Sequence, residues 1–228
     1  MQRRDHALIR VLLVDDHQLL TDALARLLSQ EPDIEVVAVA GTVAEARAAT
    51  RERLDVALMD YRLPDGTGAE ATRAIKARWP SARVIMLTAV RDDETVLDSI
   101  QAGADGYLTK DRASEEVVAA VRAVHAGEIL LPRAVLVDLA RRVATARSEV
   151  ASRPILEPLT PRELEVLRAL TEGLSSREIS DRLSIAPNTL RTHVQNVMGK
   201  LGVHSKLEAV TFALRNRLVE PPHGERPT

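Results

Sequence analysis

Five mostly apolar segments recur through the first half of the chain, and each is followed by a segment with helical spacing. The apolar segments contain no proline, which is typical of buried β-strands. The predicted strands are Ile9–Val14, Ile34–Ala40, Val56–Asp60, Arg83–Ala89 and Gly106–Lys110. The predicted helices are Thr21–Ser29, Val43–Arg51, Thr67–Arg78, Asp92–Ala102 and Ser114–Ala126. This alternation predicts an α/β fold, a five-stranded doubly wound parallel sheet covered on both faces.

Polar side chains stand at the ends of four of these strands. Asp15 and Asp16 follow the first strand, and Asp60, Thr88 and Lys110 end the third, fourth and fifth. The carboxyl ends of parallel strands meet at one edge of a sheet, so these side chains are expected to converge. Each alone is an ordinary cap, strand residue or surface charge, and only their joint occurrence points to a site. Three carboxylates need a cation, and oxygen ligands suit Mg²⁺.

Residues 8–128 resemble the receiver domain of response regulators, which has a flavodoxin-like fold. That family carries an acidic pair after the first strand, an acceptor aspartate after the third, threonine or serine after the fourth and lysine after the fifth. The loop DYRLPDGTG, residues 60–68, resembles the acceptor loop of the family. Tyr107 stands where the family has a switch aromatic, although simple packing on the strand is the alternative for this residue.

The resemblance implies that Asp60 accepts a phosphoryl group from a sensor histidine kinase or an acyl phosphate. The residues that it assigns to Mg²⁺ are Asp15, Asp16, Asp60 and, through its backbone carbonyl, Arg62. The residues that it assigns to the phosphoryl group and the switch are Thr88, Lys110 and Tyr107. Such a receiver catalyses only its own phosphorylation and dephosphorylation and is not otherwise an enzyme. An aspartate-nucleophile phosphatase is disfavoured. Such enzymes carry the motif D-x-D-x-T after the first strand, whereas the first strand here ends in D-D-H, with no second Asp two residues on.

The second half predicts an all-α domain of four helices in residues 156–220, joined to the first half by a partly helical linker, 129–155. Its first helix has a strong start, because Thr160 can cap it, Pro161 suits the first helical position and Glu163 completes a capping box. The third helix has one apolar face and one polar and basic face. This order is a helix-turn-helix pattern.

The segments LTPRELEVL, GLSSREISDRL and NTLRTHVQNVMGKLGV resemble a LuxR-type DNA-binding domain, so nearly the whole chain resembles a NarL/FixJ-family response regulator. The resemblance assigns base reading to Arg191, Thr192 and Gln195. The residues expected near phosphates are Asn188, Thr189, His193 and Lys200. Packing at a buried edge is the alternative for His193. Ala186 stands where a capping serine is common in the family.

The fourth helix is expected to offer its apolar side to a second copy in a homodimer.

Charge differs between the two halves. Residues 1–130 carry 16 Lys and Arg against 22 Asp and Glu, a net −6, whereas residues 131–228 carry 15 against 11, a net +4. The basic excess agrees with a nucleic-acid partner for the second half. The chain has no cysteine, and no apolar run approaches the roughly 18 residues of a membrane span. A cytoplasmic protein with no membrane partner is expected.

The two resemblances together imply a phosphorylation-controlled transcription regulator of a two-component system. Phosphorylation of Asp60 is expected to favour dimers and binding to double-stranded promoter DNA. Two alternatives stay open from the sequence. In one, the protein binds DNA without phosphorylation; in the other, the helical half is a protein-binding adaptor whose exposed face does not touch DNA.

Overall fold

The computed structural model describes residues 8–49, 53–88, 93–130 and 157–219. The chain divides into two compact units, Met1–Leu130 and Leu131–Thr228. The predicted linker lies outside the described residues, apart from its first two positions. The predicted strand end at Ala89 and the predicted helix boundaries at Arg51 and Asp92 lie outside them as well.

The first unit contains the predicted parallel sheet. The long strands are β1 Ile9–Val14, β2 Ile34–Ala40, β3 Val56–Asp60, β6 Arg83–Thr88 and β7 Gly106–Thr109. Two short strands, β4 Arg62–Leu63 and β5 Gly66–Thr67, pair as a small antiparallel hairpin. The five long strands are ordered β2-β1-β3-β6-β7, and every neighbouring pair is parallel. The prediction of a five-stranded doubly wound sheet is confirmed.

Five helices cover this sheet. They are α1 Gln18–Ser29, α2 Val43–Ala48, α3 Gly68–Arg78, α4 Asp93–Gln101 and α5 Ala113–His125. Helix α1 begins at Gln18, three residues before the predicted start at Thr21. Its first turn packs little, since Leu19 is 88% exposed. Helices α1 and α5 contact each other, whereas α3 contacts α2 and α4.

The core forms because the strands are apolar on both faces. One set of buried residues alternates along the strands and meets the buried sides of α1 and α5. This set includes Val11, Leu13, Leu58, Leu87, Leu24, Leu28, Val117 and Val121. The alternate strand residues Leu12, Met59 and Met86 are also fully buried. Both faces of the sheet are therefore covered, and its carboxyl edge is left as the place for polar side chains.

Within the described residues, Leu130 contacts the sheet at its β7 edge. The backbone N–H of Tyr107 donates to the carbonyl oxygen of Leu130 at 2.6 Å, and Gly106 forms a parallel bridge with Leu130. A Cβ atom on Gly106 would lie 2.7 Å from the Cβ of Leu130. Glycine is therefore what lets the start of the linker lie against the outer side of β7.

The described part of the second unit, residues 157–219, contains four helices, as predicted. They are α6 Pro161–Thr171, α7 Ser176–Leu183, α8 Pro187–Leu201 and α9 Lys206–Arg215. Thr160, Ser175 and Ser205 cap three of them, each accepting a hydrogen bond from the backbone N–H three residues on. Ala186, the residue before α8, makes no such bond, because its methyl side chain cannot accept a hydrogen bond.

The prediction for the last helix was wrong in one respect. We expected its apolar side to be available to a second copy. In the structure Leu207, Val210, Ala213 and Leu214 are all buried, and α9 contacts α6 and α8. A four-helix unit of this size needs that face for its own core.

No helix in the described ranges combines the length and apolar character that crossing a membrane requires.

We expect Ser180→Ala to stabilise the second unit. Ser180 is 7% exposed, and its hydroxyl has no hydrogen-bond partner among the described residues. Removing an unsatisfied buried hydroxyl should raise the free energy of unfolding by about 1 kcal/mol, measured by urea unfolding followed by circular dichroism. Thr211→Val is the matched control: its buried hydroxyl donates to the Leu207 carbonyl at 2.9 Å, so its loss should destabilise. An unchanged or lowered stability of Ser180→Ala would refute the expectation.

Candidate phosphoryl-acceptor site and nucleic-acid interface

The strand register brings the predicted carboxylates and the lysine together. Val14 pairs with Met59 and Asp60 with Leu87, so β1, β3 and β6 end at nearly one level. Lys110 follows β7, and its Nζ lies 2.6 Å from Asp15 Oδ2 and 2.8 Å from Asp60 Oδ2. Asp15 and Asp60 are buried. One ammonium thus contacts two carboxylates from different strands.

Burial and charge act against each other in this cluster. Burial raises the pKa of Asp60 above its ordinary value, and the Asp15 charge adds to this, while the hydrogen bond from Lys110 opposes it. Burial alone would lower the pKa of Lys110, but its hydrogen bonds with Asp15 and Asp60 raise it overall. Lys110 therefore stays charged at neutral pH, and Asp60 is a poorly solvated carboxylate that gains from a further cation.

A fourth residue belongs to the acidic cluster. Asp15, Asp16, His17 and Asp60 each offer a ligand atom, and these atoms lie within 4.8 Å of one another. His17 Nδ1 is 2.9 Å from oxygens of both Asp15 and Asp16, and its hydrogen bond with Asp15 raises its pKa. His17 has no role in the predictions from sequence. Its position beside the acidic pair was the available signal, but its contact with both carboxylates needs the turn into α1.

Close packing fixes the backbone of Asp60. A Cβ atom on Gly68 would overlap the Asp60 carbonyl oxygen, and the Gly68 N–H donates to the Tyr61 carbonyl at 2.8 Å. The first turn of α3 therefore lies directly against the acceptor loop. The backbone N–H of Arg62 donates to the Asp60 carboxylate, whereas the role of the Arg62 carbonyl stays a prediction.

The other side of the acceptor loop is held by Asp65. Its carboxylate accepts hydrogen bonds from the N–H groups of Val43 at 2.6 Å and Ala44 at 3.0 Å, at the start of α2. These bonds hold the pKa of Asp65 below its ordinary value. The loop that carries Asp60 is thus anchored to α2 and to α3, which limits the positions open to the carboxylate.

The predicted switch residues lie on β6 and β7. Thr88 ends β6 beside Thr109, but its side chain lies outside the described part of the structure. Tyr107 is 8% exposed, and its hydroxyl is 3.2 Å from Ser99 Oγ on α4. The Tyr107 ring is therefore turned inward, against α4.

Helix α4 has a second tie to the site. The Tyr61 hydroxyl donates to Asp98 at 3.1 Å, and Arg73 also contacts Asp98, at 2.6 Å. Tyr61 immediately follows Asp60, so the loop of residues 60–68 is hydrogen-bonded directly to α4. No sequence pattern indicates this contact, because the two residues are 37 positions apart.

The polar face predicted for α8 is exposed in the structure. Its exposed members are Asn188, Thr189, Arg191, Thr192 and Gln195. His193 is half-buried, so both of its interpretations stay open. The opposite face is buried through Leu190, Val194 and Val197. No acidic residue occurs in α8, so the exposed face is suited to a polyanion.

Lys200 has partners inside the protein. Its Nζ lies 2.8 Å from Glu163 Oε2 and 3.2 Å from the Pro158 carbonyl oxygen. Glu163 is 3% exposed, and it also accepts the Thr160 N–H at 2.7 Å. Burial opposes ionisation of Glu163, but the hydrogen bonds from Lys200 and Thr160 lower its pKa overall. This ion pair joins the start of α6 to the end of α8.

The comparisons with known proteins agree with both units. The family model described as "Response regulator receiver domain" matches residues 11–122, and the one described as "Bacterial regulatory proteins, luxR family" matches residues 157–213. The chain is 38% identical over 221 residues to the DNA-binding transcriptional activator DevR/DosR of Mycobacterium tuberculosis, covering 96% of this chain and 100% of that protein. It is 36% identical over 213 residues to the response regulator protein VraR of Staphylococcus aureus, covering 93% and 99%.

A solved structure of the RcsB response regulator of Salmonella typhimurium is similar along most of the chain. It has a TM-score of 0.53 and 25% identity, and the match covers 92% of this chain and 98% of that one. A receiver joined to a LuxR-type DNA-binding domain is the architecture of one family of response regulators. This chain belongs to that family, as a NarL/FixJ-type member. It is a DNA-binding transcription regulator of a two-component system rather than a typical enzyme.

We expect Gly68→Ala to destabilise the receiver. The added methyl group would overlap the Asp60 carbonyl oxygen, so α3 must move away from the acceptor loop. Overpacking of this kind costs about 1–3 kcal/mol of unfolding free energy, measurable by urea unfolding. In the control Gly41→Ala, the nearest atom to the new Cβ is Glu45 Oε2 at 3.7 Å, and we expect a change within about 0.5 kcal/mol. Equal effects of the two substitutions would contradict the packing argument.

A matched pair of substitutions tests the Glu163–Lys200 ion pair. Glu163→Gln should lower the free energy of unfolding by about 2 kcal/mol, because a charge-assisted hydrogen bond is lost. Glu165→Gln, in the same helix, breaks a solvent-exposed pair with Arg162 and should cost less than about 1 kcal/mol.

The effect of Glu163→Gln should depend on pH in one direction. The pKa of Glu163 is lower in the folded protein than its ordinary value of 4.5. The ionised form therefore stabilises the fold above that pH, and the contribution is lost as the pH falls through the folded pKa. Urea unfolding of the wild type and of Glu163→Gln should give converging stabilities in acid. A difference that stays constant down to acid pH would count against the ion pair.

Proposed function

We propose that Asp60 accepts a phosphoryl group from a sensor histidine kinase and that this modification controls dimerisation and binding to double-stranded promoter DNA. The observation that carries the proposal is the contact of Lys110 Nζ with both Asp15 and Asp60, at 2.6 and 2.8 Å. A cation in that place reduces the repulsion between a carboxylate and an incoming phosphate, and it is in position for a phosphoryl oxygen afterwards.

Mg²⁺ is the cofactor that we propose for this site. The residues proposed to hold it are Asp15, Asp16, Asp60 and the backbone carbonyl of Arg62. The donor set fits a hard cation, because three of the four converging ligand groups are carboxylates. When bound, such an ion neutralises charge that develops on the transferring phosphoryl group.

In the proposed transfer, a carboxylate oxygen of Asp60 forms a bond to phosphorus. The bond that breaks joins phosphorus to the imidazole nitrogen of a phosphohistidine, or to the acyl oxygen of an acyl phosphate. Lys110 pairs with one phosphoryl oxygen, and the Thr88 hydroxyl donates to another. The receiver catalyses only this reaction and the later hydrolysis of its own acyl phosphate.

The signal is proposed to leave the site through α4. When Thr88 is drawn to the phosphoryl group, the chain that follows β6 moves with it. Tyr107 and Tyr61 respond, because their hydroxyl groups are bonded to Ser99 and Asp98 of α4. Two packings of α4 would then be the bistable element that phosphorylation biases.

The exposed face of α8 is proposed to enter the major groove. We assign base contacts to Arg191, Thr192 and Gln195, whose exposed polar groups can reach base edges. The residues assigned to phosphates are Asn188, Thr189, His193 and Lys200. Lys200 has three N–H donors. Two of them are used by its partners among the described residues, and the third is proposed to contact DNA. DevR/DosR is described as a DNA-binding transcriptional activator, which supports the same interface here.

The domain boundaries, the oligomeric state and the cellular location are proposals of the same kind. We take residues 8–128 as the receiver, 129–155 as the linker and 156–220 as the DNA-binding domain. Phosphorylated protein is proposed to be a homodimer, although the buried apolar side of α9 does not supply its surface. We place the protein in the cytoplasm without a membrane partner, since it has no cysteine and no long apolar run.

Capture of genomic DNA fragments on the full-length protein tests the proposed function. We expect specific fragments to be enriched with acetyl phosphate and Mg²⁺, and the enrichment to be lost in Asp60→Asn, which cannot form the acyl phosphate. Asp33→Asn is the control, since Asp33 precedes β2, its side chain pairs with Arg122, and the substitution should leave the response intact. Equal enrichment without the phosphodonor would mean DNA binding independent of Asp60. No specific fragment under either condition would favour a protein-binding adaptor.

A further inference from the structure

Helix α8 contains a glycine that the described part of the fold does not require. Gly199 lies within α8, two residues before the helix ends at Leu201. Glycine inside a helix is less favourable than alanine, because more backbone entropy is lost on folding. Its φ is not positive, so a side chain is conformationally allowed. A Cβ atom added to Gly199 meets no heavy atom of the described residues within 4 Å.

The other described glycines have a reason within the chain or lie outside the helices. Gly68 and Gly106 have neighbouring atoms within 3 Å of the place that a Cβ atom would take. The glycines with positive φ are Gly66, Gly103, Gly127, Gly173 and Gly202. Gly41 lies in a turn rather than in a helix. Gly199 is thus a helical glycine that no contact within the described residues explains. We therefore look for its reason in a contact with another molecule.

The position of Gly199 on α8 identifies the relevant face. It continues the row formed by Asn188, Thr192 and Gln195, which lie eleven, seven and four residues before it. Residues at this spacing share one side of a helix, and all four are exposed. The row that we propose to face DNA therefore ends on bare backbone.

Helix dimensions place Gly199 beyond the bases. From Asn188 to Gly199 the helix rises about 16 Å at about 1.5 Å per residue, whereas the major groove is about 12 Å wide. When the first turns of α8 lie among the bases, Gly199 reaches the wall of the groove. Residues 187–217 carry five Lys and Arg against one acid, so a polyanionic strand is the partner that the charge favours.

We propose that Gly199 is a close-approach site for the sugar–phosphate backbone of duplex DNA. The absent side chain lets the last turn of α8 pack directly against one strand, which sets how deeply the helix enters the groove. This inference rests on the proposed DNA binding by α8. A contact of this kind carries no sequence information, so it should affect specific and non-specific DNA alike.

Gly199→Ala and Gly199→Leu in the full-length protein test the proposal. Affinity for a captured fragment and for an unrelated duplex would be measured by fluorescence anisotropy. We expect Gly199→Ala to raise the Tm and yet weaken binding to both duplexes about tenfold, and Gly199→Leu to weaken it more. Ser180→Ala is the matched control, because it should raise the Tm from a buried position and leave Kd unchanged.

Three results would overturn the proposal, and they are distinguishable. Wild-type affinity in both Gly199 variants would leave the proposed function standing and remove the role of the glycine. Self-association of the wild type without DNA, abolished in Gly199→Ala and seen by analytical ultracentrifugation, would assign this face to a second copy of the chain. Absence of DNA binding by the wild type, with or without the phosphodonor, would overturn the proposed function itself and this inference with it.

Discussion

The placement of one ammonium group between two buried carboxylates is the interaction on which the receiver depends. Without Lys110, Asp15 and Asp60 would face each other at the edge of the sheet with little solvent to screen them. The parallel register supplies this meeting, because β1, β3 and β7 each deliver one group to it. Much of the surrounding structure, including Gly68 against the Asp60 carbonyl and Asp65 on α2, holds the acceptor loop in register with that ammonium.

The same principle, a lysine satisfied by a buried carboxylate, recurs in the helical unit with a different outcome. There the Glu163–Lys200 pair joins two helices, and Glu163 is already satisfied by the capping bond to Thr160. At the sheet edge the carboxylates have only partial compensation, as the raised pKa of Asp60 indicates. The Glu163–Lys200 arrangement suits a fixed element, and the sheet-edge arrangement suits the modification that we propose for Asp60.

The elements whose signals are local could be predicted from the sequence. Apolar runs indicated the five strands, and polar residues at the strand ends indicated Asp15, Asp60 and Lys110, because parallel topology converts those positions into proximity. Contacts between distant residues were missed, such as Tyr61 with Asp98 and Lys200 with Glu163, since no spacing rule relates them. The apolar side of α9 was misread because periodicity shows that a face will be buried but not by what. His17 was overlooked because its role depends on one turn of the backbone.

The bridge between Gly106 and Leu130 has a consequence for solubility. A parallel sheet exposes unpaired backbone N–H and C=O groups along its outermost strands. Other chains can pair with these groups, which leads to aggregation. By accepting the Tyr107 N–H, Leu130 closes part of the β7 edge with the protein's own chain. The segment that leads out of the receiver therefore also covers part of the β7 edge. A substitution that forced Leu130 away from Gly106 would expose this edge and favour aggregation, even if the rest of the fold stayed intact.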